Sequence, residues 1–462
     1  MADATTPQAS ALAQPPFWTL DRLAEALGRG PRGETKVARI STDTRTVGEG
    51  DAFLALKGES FDAHDFVAEA VKRGATALIV HDASRAAGLP VPVYEVPDTV
   101  QALGALGRFR RRAWGKTVVG VVGTNGKTST KELLRAALGG ALRVHATVGN
   151  YNNLVGVPLT LFALPDDADI AVIEMGTNQP GEVALLRAIV EPDVVVVTSI
   201  AEEHLEGLGD LAGVLREEVS ACDGVALAVV PASQPEIMDA ARPRAHRALS
   251  AGLEAGDVRP DAWGVEPDGR GWLQFDDVRV RVPLRGVHNL RNAMLALAVA
   301  RERGVSMQDA ARSIAIMPSP PMRVHFESCG AATIINDAYN SNPGSARVAL
   351  ELLEHAGAGR QRVAVLGTML ELGAQAGRLH DDVARDALAS PIELVVGVGA
   401  FAEALGRVAP GDPRVVSGSD PDAAWAAVRS RLASDAVILL KGSRGVRLER
   451  LIPVISEWAT AR

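Results

Sequence analysis

Thr117-Val118-Val119-Gly120-Val121-Val122-Gly123-Thr124-Asn125-Gly126-Lys127-Thr128-Ser129 is the stretch that decides the architecture of this chain. Its first six residues are an apolar, β-branched run of the length expected for a strand buried on both faces. A glycine loop follows at once, and then apolar residues at helical spacing. A turn from a buried strand into a helix is where a phosphate loop belongs. Glycines let backbone N–H groups turn toward phosphate oxygens, and the helix N-terminus adds the positive end of its dipole. Lys127 is then placed to neutralise β- and γ-phosphates, and the Thr128 hydroxyl to hold Mg²⁺. The spacing G-x-x-x-x-G-K-[ST] is met imperfectly, because position 121 is valine and Gly120 lies one residue early. On the loop alone, a glycine-rich strand-to-helix turn with no ligand stays open as the alternative.

Outward from the loop, apolar runs at 169–173, 193–199 and 224–230 alternate with helical stretches. Such alternation predicts a mainly parallel sheet covered on both faces. Residues 271–285 alternate apolar and polar around Asp276-Asp277, the pattern of a hairpin. Together, 116–318 read as a central ATPase-like domain. Upstream, 17–115 hold a helix-like opening, short strands including Thr76 to Val80, and a closing helix with Arg108, Arg110, Arg111 and Arg112. That basic cluster is either a solvated helix face or part of a surface for an anionic substrate. Downstream, Pro318-Ser319-Pro320-Pro321 breaks the pattern, since prolines stiffen a linker and cannot continue a helix. Strand candidates at 332–336, 362–366, 392–397 and 435–440 follow, separated by helices, so 319–462 read as a Rossmann-like domain. The fold class is α/β, in three domains, with 1–16 as a flexible tail.

At 462 residues the chain is too long for one core. A formal charge of −8 argues against general affinity for nucleic acid or anionic membrane, while leaving room for a local basic pocket. Cys222 and Cys329 lie far apart without CxxC spacing, as in a reducing compartment. The N-terminus has no basic region and no long apolar run, and no stretch is long and apolar enough for a membrane span. These features predict a cytoplasmic enzyme.

The loop form Gly-Thr-Asn-Gly-Lys-Thr resembles that of the Mur ligase family, and the similarity covers nearly the whole chain after the tail. Two further blocks, Gly149-Asn150-Tyr151-Asn152-Asn153-Leu154-Val155-Gly156-Val157-Pro158-Leu159 and Asp337-Ala338-Tyr339-Asn340-Ser341-Asn342-Pro343, resemble the branch that adds D-alanyl-D-alanine. The Asp-Asn-Pro-Arg-type motif of the diaminopimelate-adding branch is absent. In the N-terminal segment, Ser41-Thr42-Asp43-Thr44-Arg45, Gly50 to Gly58, and Asp62-Ala63-His64-Asp65-Phe66 look like the family's uridine-nucleotide-binding domain. The resemblance implies substrate contacts at Ser41, Asp43, Thr44, Arg45, Lys57 and His64, and at Asn150, Asn152, Asn153, Tyr339 and Asn340. Arg45 has a plainer alternative, a pair with Asp43 or Asp51. Ala63 stands where the family usually has glycine, which would strain the backbone if that position needs positive φ.

The resemblance also implies ATP and Mg²⁺ as cofactors, with Lys127, Glu174 and His204 catalytic and Thr128, Glu174 and His204 as metal ligands. ATP would contact Gly123 through Ser129, including Thr124, Asn125 and Gly126, and also Asn292, Arg323 and Asp337, with 318–322 as a closing hinge. Most relatives carry a carbamylated lysine fourteen residues after this histidine, and here position 218 is glutamate. Glu218 either replaces that carboxylate at the metal or belongs, with Glu217, to an exposed acidic helix face. Lys441-Gly442-Ser443-Arg444-Gly445 follows a strand and is expected to open a helix. Gly367-Thr368 replaces the family's Gly-Asp, and His380 lies nine residues after Glu371. The implied reaction joins UDP-N-acetylmuramoyl-tripeptide to D-alanyl-D-alanine through an acyl phosphate, by a monomer, with no nucleic-acid or membrane partner. A family ligase with another amine, and a phosphate-loop switch protein, are the alternatives.

Overall fold

In the computed structural model the run Thr117–Val122 is a strand, buried from Val118 onward. Residues 14–58, 61–266, 268–318 and 322–461 are described; most of the expected tail and positions 319–321 of the expected hinge lie outside them. The chain gathers into two compact units. The first takes described residues from Met1–Val121, Leu142–Thr177 and Gly181–Val195, the second from Val122–Ala141, Asn178–Pro180 and Val196–Arg462.

In the first unit, four short strands form a parallel sheet in chain order: Ile40–Ser41, Ala52–Leu54, Ala77–Val80 and Val93–Glu95. Trp18, Leu54, Ile79, Tyr94 and Leu103 make its core, joined by Phe162 from the central segment. Thr117–Val122 pairs in parallel with Ile170–Glu174, which pairs in parallel with Val144–Ala146. Helix Thr99–Trp114 links these layers. Asp98 caps it by accepting from Val100 and Gln101 N–H, and Gly115 ends it at φ 68°, a left-handed turn that glycine adopts without strain.

Two arginines of this helix correct both sequence readings of the basic cluster, while Arg108 and Arg112 remain on its exposed face. Arg110 and Arg111 are buried, and their guanidinium groups are spent on internal acceptors. Arg110 bonds Leu164 O and Asp166, and Arg111 bonds Val190 O, Glu191 O and Asp193. Arg108 and Arg112 both bind the Glu191 carboxylate. These bonds tie half of the central segment to the N-terminal one, which is why the compact units do not follow the three sequence segments.

In the second unit, helix Lys127–Gly139 packs against helices Val287–Glu302 and Met307–Ala315. Leu227–Pro231 and Ala248–Ala251 pair in parallel. The expected hairpin is present as Arg270–Phe275 and Val278–Arg285, turning at Asp276 with φ 48°, and Ala262–Val265 adds a third antiparallel strand. The C-terminal segment forms a six-stranded sheet in the order His325–Cys329, Ala332–Asp337, Val437–Lys441, Arg362–Gly367, Leu394–Val398 and Val415–Gly418. Only the first pair is antiparallel. After Lys441 the expected helix does not begin at once: two 3₁₀ turns, Arg444–Val446 and Leu448–Arg450, precede helix Leu451–Thr460. No helix among the described residues is long and apolar enough to cross a membrane.

Glu191 makes one consequence of this packing measurable. The hydrogen bond from Arg112, with Arg108 beside it, holds the Glu191 carboxyl down at about 2 against an ordinary 4.5. A lowered pKa means stability that is present above pH ~4.5 and lost as pH falls toward ~2, here moderated by solvent screening. Glu191→Gln should therefore lower the melting temperature at pH 7, with the gap to the parent shrinking from pH 5 to pH 3. A gap of constant size over that range would show that the pair does not stabilise the fold.

Candidate active site

The glycine loop lies in the second unit, and two of its glycines are required by close contacts. A Cβ on Gly123, at φ 117°, would lie 2.5 Å from Thr198 Oγ1 and 2.9 Å from Ser199 O. One on Gly126, at φ 85°, would lie 2.9 Å from the Asn292 amide. Thr124 N–H donates to Ser199 O at 2.8 Å, and Asn125 N–H donates to Ser199 Oγ at 3.1 Å. The loop is thereby stitched to residues 198–201. Helix Lys127–Gly139 starts straight from it, with Thr128 and Ser129 in the first turn and no described side chain capping its N-terminus. Lys127 Nζ folds back to donate to Gly123 O and Thr124 O. A helix start without a side-chain cap beside a lysine ammonium is the arrangement that suits phosphate.

Behind the loop, Glu218 Oε2 accepts the Gly123 N–H at 2.8 Å. Burial pushes the Glu218 carboxyl up, while the Lys127 ammonium and the Gly123 N–H pull it back toward the charged form. Glu217 and Glu218 are both buried, so the exposed acidic face is excluded. His204 has φ 53°, and its Nδ1 pairs with Glu371, itself at φ 64°. Left-handed backbone at non-glycine residues costs roughly 1–2 kcal/mol each and persists only where surrounding contacts fix it. Glu206 N–H donates to Glu371 O at 3.3 Å, one such contact. The neighbouring Glu203 accepts from Asn340 Nδ2 at 2.8 Å.

The Asp337 to Pro343 block reaches the same loop. Asn342 and Asn125 exchange side-chain amide hydrogen bonds of 2.8 and 3.2 Å, while Asn342 also caps helix Pro343–Ala356. Asp337 pairs with Lys441 at 2.9 Å, and Lys441 Nζ also donates to Asn340 O. Arg323 stacks on the Tyr339 ring at 4.3 Å. Asn292 is buried against Gly126 and donates to Asn289 Oδ1, so here its amide supports the loop from beneath. His288, in the same helix, is pushed down to about 4 by burial and is neutral. His380 Nε2 accepts Met369 N–H at 2.9 Å and thereby holds the turn that presents Glu371. Thr368 Oγ1 accepts Ala400 N–H at 3.0 Å, a capping role compatible with its replacing aspartate.

In the first unit, Glu174 ends strand Ile170–Glu174, buried, and accepts from Asn152 Nδ2 at 2.9 Å. Asn153 caps the following helix through Val155 and Gly156 N–H, and Asn150 is exposed. Arg45 pairs with Asp43 at 2.7 Å although its side chain is 83% exposed, which is the plainer of its two readings; Asp51 pairs with Arg39 instead. Ser41 Oγ bonds Asp43 O, Thr44 opens a 3₁₀ turn, and Lys57 is exposed. His64 is buried with both ring nitrogens engaged, Nδ1 by Asp62 and Nε2 by His81, so in this conformation it braces the loop. Ala63 lies in a 3₁₀ turn without positive φ, and the strain expected there does not arise.

Among the described residues no three His, Cys, Asp or Glu side chains are gathered to hold a metal ion. Mg²⁺ does not require such a cage: it is commonly held by one or two protein carboxylates, with phosphate oxygens and water completing the shell. The buried carboxylates and His204 beside the loop fit that pattern. The sequence reading missed Glu203, Glu371 and the Asn125–Asn342 pair, each joined to a partner distant in the chain.

Residues 36–111 match the Mur ligase family catalytic domain, 121–300 the Mur ligase middle domain and 322–444 the Mur ligase glutamate ligase domain. The UDP-N-acetylmuramoyl-tripeptide--D-alanyl-D-alanine ligase of Bacillus subtilis (strain 168) is 32% identical over 437 residues, 92% of this chain and 94% of that protein. A crystal structure of MurF from Acinetobacter baumannii is similar with a TM-score of 0.87 at 32% identity, covering 96% of this chain and 100% of that one. The MurF ligase from Thermotoga maritima in complex with ADP has a TM-score of 0.81 at 27% identity, covering 92% and 98%.

Gly126→Ala should cut ADP affinity by at least about tenfold, because the left-handed turn alone costs roughly 1–2 kcal/mol and the Asn292 contact adds to it. Gly28→Ala, where a Cβ meets open space, should leave ADP affinity at the parental value. Calorimetric titration of both variants with ADP checks this. Equal affinity in the two would mean that Gly126 does not shape the nucleotide site.

Proposed function

Because the chain belongs to the Mur ligase family, we propose that it is the ATP-dependent ligase joining D-alanyl-D-alanine to UDP-N-acetylmuramoyl-tripeptide in peptidoglycan precursor synthesis. The observation that carries this reading is the near full-length match to ligases of that name at 32% identity. The site geometry supports it, with a phosphate loop braced by Glu218 from behind and by Asn342 of the Asp337 to Pro343 block. The domains on this reading are 17–115 for the UDP-linked substrate, 116–318 for ATP and 319–462 as a Rossmann-like ligase domain. A cytoplasmic monomer suffices, since one chain supplies every candidate residue.

In this mechanism the ATP phosphates lie on the loop and the start of helix Lys127–Gly139. Lys127 exchanges its carbonyl partners for β- and γ-phosphate oxygens, which places its charge where negative charge develops. The terminal carboxylate of the tripeptide attacks the γ-phosphorus, giving an acyl phosphate and ADP. The amine of D-alanyl-D-alanine then attacks the acyl carbon, loses its proton, and phosphate leaves. Positioning and charge stabilisation carry the rate, and no protein nucleophile is needed. Thr128, His204 and Glu218 are the residues of the second unit that would hold Mg²⁺. When bound, the ion neutralises phosphate charge and polarises the transferred group. Glu218 supplies the carboxylate that relatives make by carbamylating a lysine. Asn152 orients Glu174, and Lys441 orients Asp337 and Asn340.

Phosphate release with UDP-N-acetylmuramoyl-tripeptide and ATP should require D-alanyl-D-alanine, with single D- or L-amino acids giving only background. A different preferred amine would place the chain in another branch of the family. Lys127→Ala should lower turnover on the order of 10³-fold while the protein still folds. Turnover near the parental rate in that variant would remove Lys127 from the reaction.

A further inference from the structure

Glu203 has no role in the mechanism above, yet its environment is costly. It precedes His204 in the turn after strand Val194–Val197, and only 7% of it is exposed. Its Oε1 is satisfied by Asn340 Nδ2. Its Oε2 is buried and accepts no hydrogen bond from any described residue. A buried polar atom left without a partner costs about 1–3 kcal/mol, and more when it carries charge. Native structures seldom keep such an atom unless a bound water, ion or ligand satisfies it.

The group facing this oxygen identifies what that is. His204 Nε2 lies 3.9 Å from Glu203 Oε2, too far for a hydrogen bond. Two donors each about 2.1 Å from one octahedral Mg²⁺ lie roughly 3.0 Å apart when adjacent and roughly 4.2 Å apart when opposite. The observed separation lies between the two, so a bound cation would draw the pair together or spread it by less than about 1 Å. Glu371 engages Nδ1 of His204, which orients the ring and leaves Nε2 directed toward Glu203. Glu218 stands close enough for both Glu203 and His204 to act on it electrostatically. An unpartnered buried carboxylate oxygen facing an imidazole nitrogen is complementary to a divalent cation held between them.

We propose that Glu203 is a carboxylate ligand, through Oε2, of a divalent cation that His204 Nε2 also holds, with water and nucleotide phosphate oxygens completing the shell. The proposal rests on the reading of His204 as a metal ligand and adds Glu203 to it. Because Oε1 is tied to Asn340, loading the cation also fixes the Asp337 to Pro343 block, so metal occupancy and the placement of that block are coupled.

The test is Mn²⁺ binding to the full-length protein with saturating ADP, read from the free-Mn²⁺ paramagnetic resonance signal. Glu203→Gln keeps the size of the side chain and an oxygen for Asn340, and should weaken Mn²⁺ roughly tenfold or more. Glu203→Ala should fall at least as far, and His204→Ala comparably. Asn340→Ala, which removes the tether but not the ligand, should cost Mn²⁺ affinity clearly less than either Glu203 variant, since only the coupling is lost. Parental affinity in both Glu203 variants with loss in His204→Ala overturns the proposal and leaves His204 as a ligand. Parental affinity in all of them overturns the His204 reading as well. Equal losses in Asn340→Ala and Glu203→Gln would mean that Glu203 acts only through its tether, which also overturns the proposal.

Discussion

The hydrogen bond from the Gly123 N–H to the Glu218 carboxylate, 2.8 Å long and closed to water, fixes the phosphate loop from behind. A carboxylate in that position is tolerable only with compensating charge nearby, and Lys127 supplies it from the same loop. The arrangement is reciprocal, because Lys127 is held over the loop by carbonyls of Gly123 and Thr124. The left-handed turns at Gly123 and Gly126, the stitching to Ser199 and the support from Asn292 all keep that short segment in one shape. On the proposed reading, a loop so constrained would meet a nucleotide with little ordering left to do, which is how preorganisation lowers the barrier for phosphoryl transfer.

Much of this architecture was legible in the sequence, and what was missed has physical causes. Strands buried on both faces announce themselves as apolar β-branched runs, and Thr117–Val122, Val194–Val197 and Val437–Lys441 fall where the pattern placed them. Two C-terminal strands escaped because they form the sheet's outer edges and are only partly buried, so His325–Cys329 and Val415–Gly418 lack a continuous apolar run. The turn from strand through glycine loop into helix was legible from its local context of apolar run, glycines and lysine. Its braces were not, because Asn125 and Asn342 are separated by 217 positions and His204 and Glu371 by 167. Burial of an acidic pair in a helix is likewise invisible to composition: Glu217-Glu218 reads as a solvated face until the packing around it is known.

Strain and polar pairing concentrate where the C-terminal residues reach the loop. His204 and Glu371 both hold left-handed backbone and pair with each other, and Asn340 and Asn342 bond Glu203 and Asn125. Such contacts are short polar links rather than broad apolar packing, so they can form and break as substrates enter and leave. The first unit distributes its polar groups differently. There Arg110 and Arg111 of helix Thr99–Trp114 and the histidine pair His64 and His81 are consumed internally, and the exposed Lys57 is left at the surface.

The central claim is that the carboxylate braced against the phosphate loop is encoded as Glu218 rather than made by carbamylation of a lysine. The most direct measurement is the initial rate of ligation at limiting Mg²⁺ in carbon-dioxide-free buffer and again with added bicarbonate. Our account predicts the same rate in both, because the carboxylate is already part of the side chain. A rate that rises with bicarbonate would contradict it, since a reversible carbamate elsewhere would then be supplying the charge assigned to Glu218.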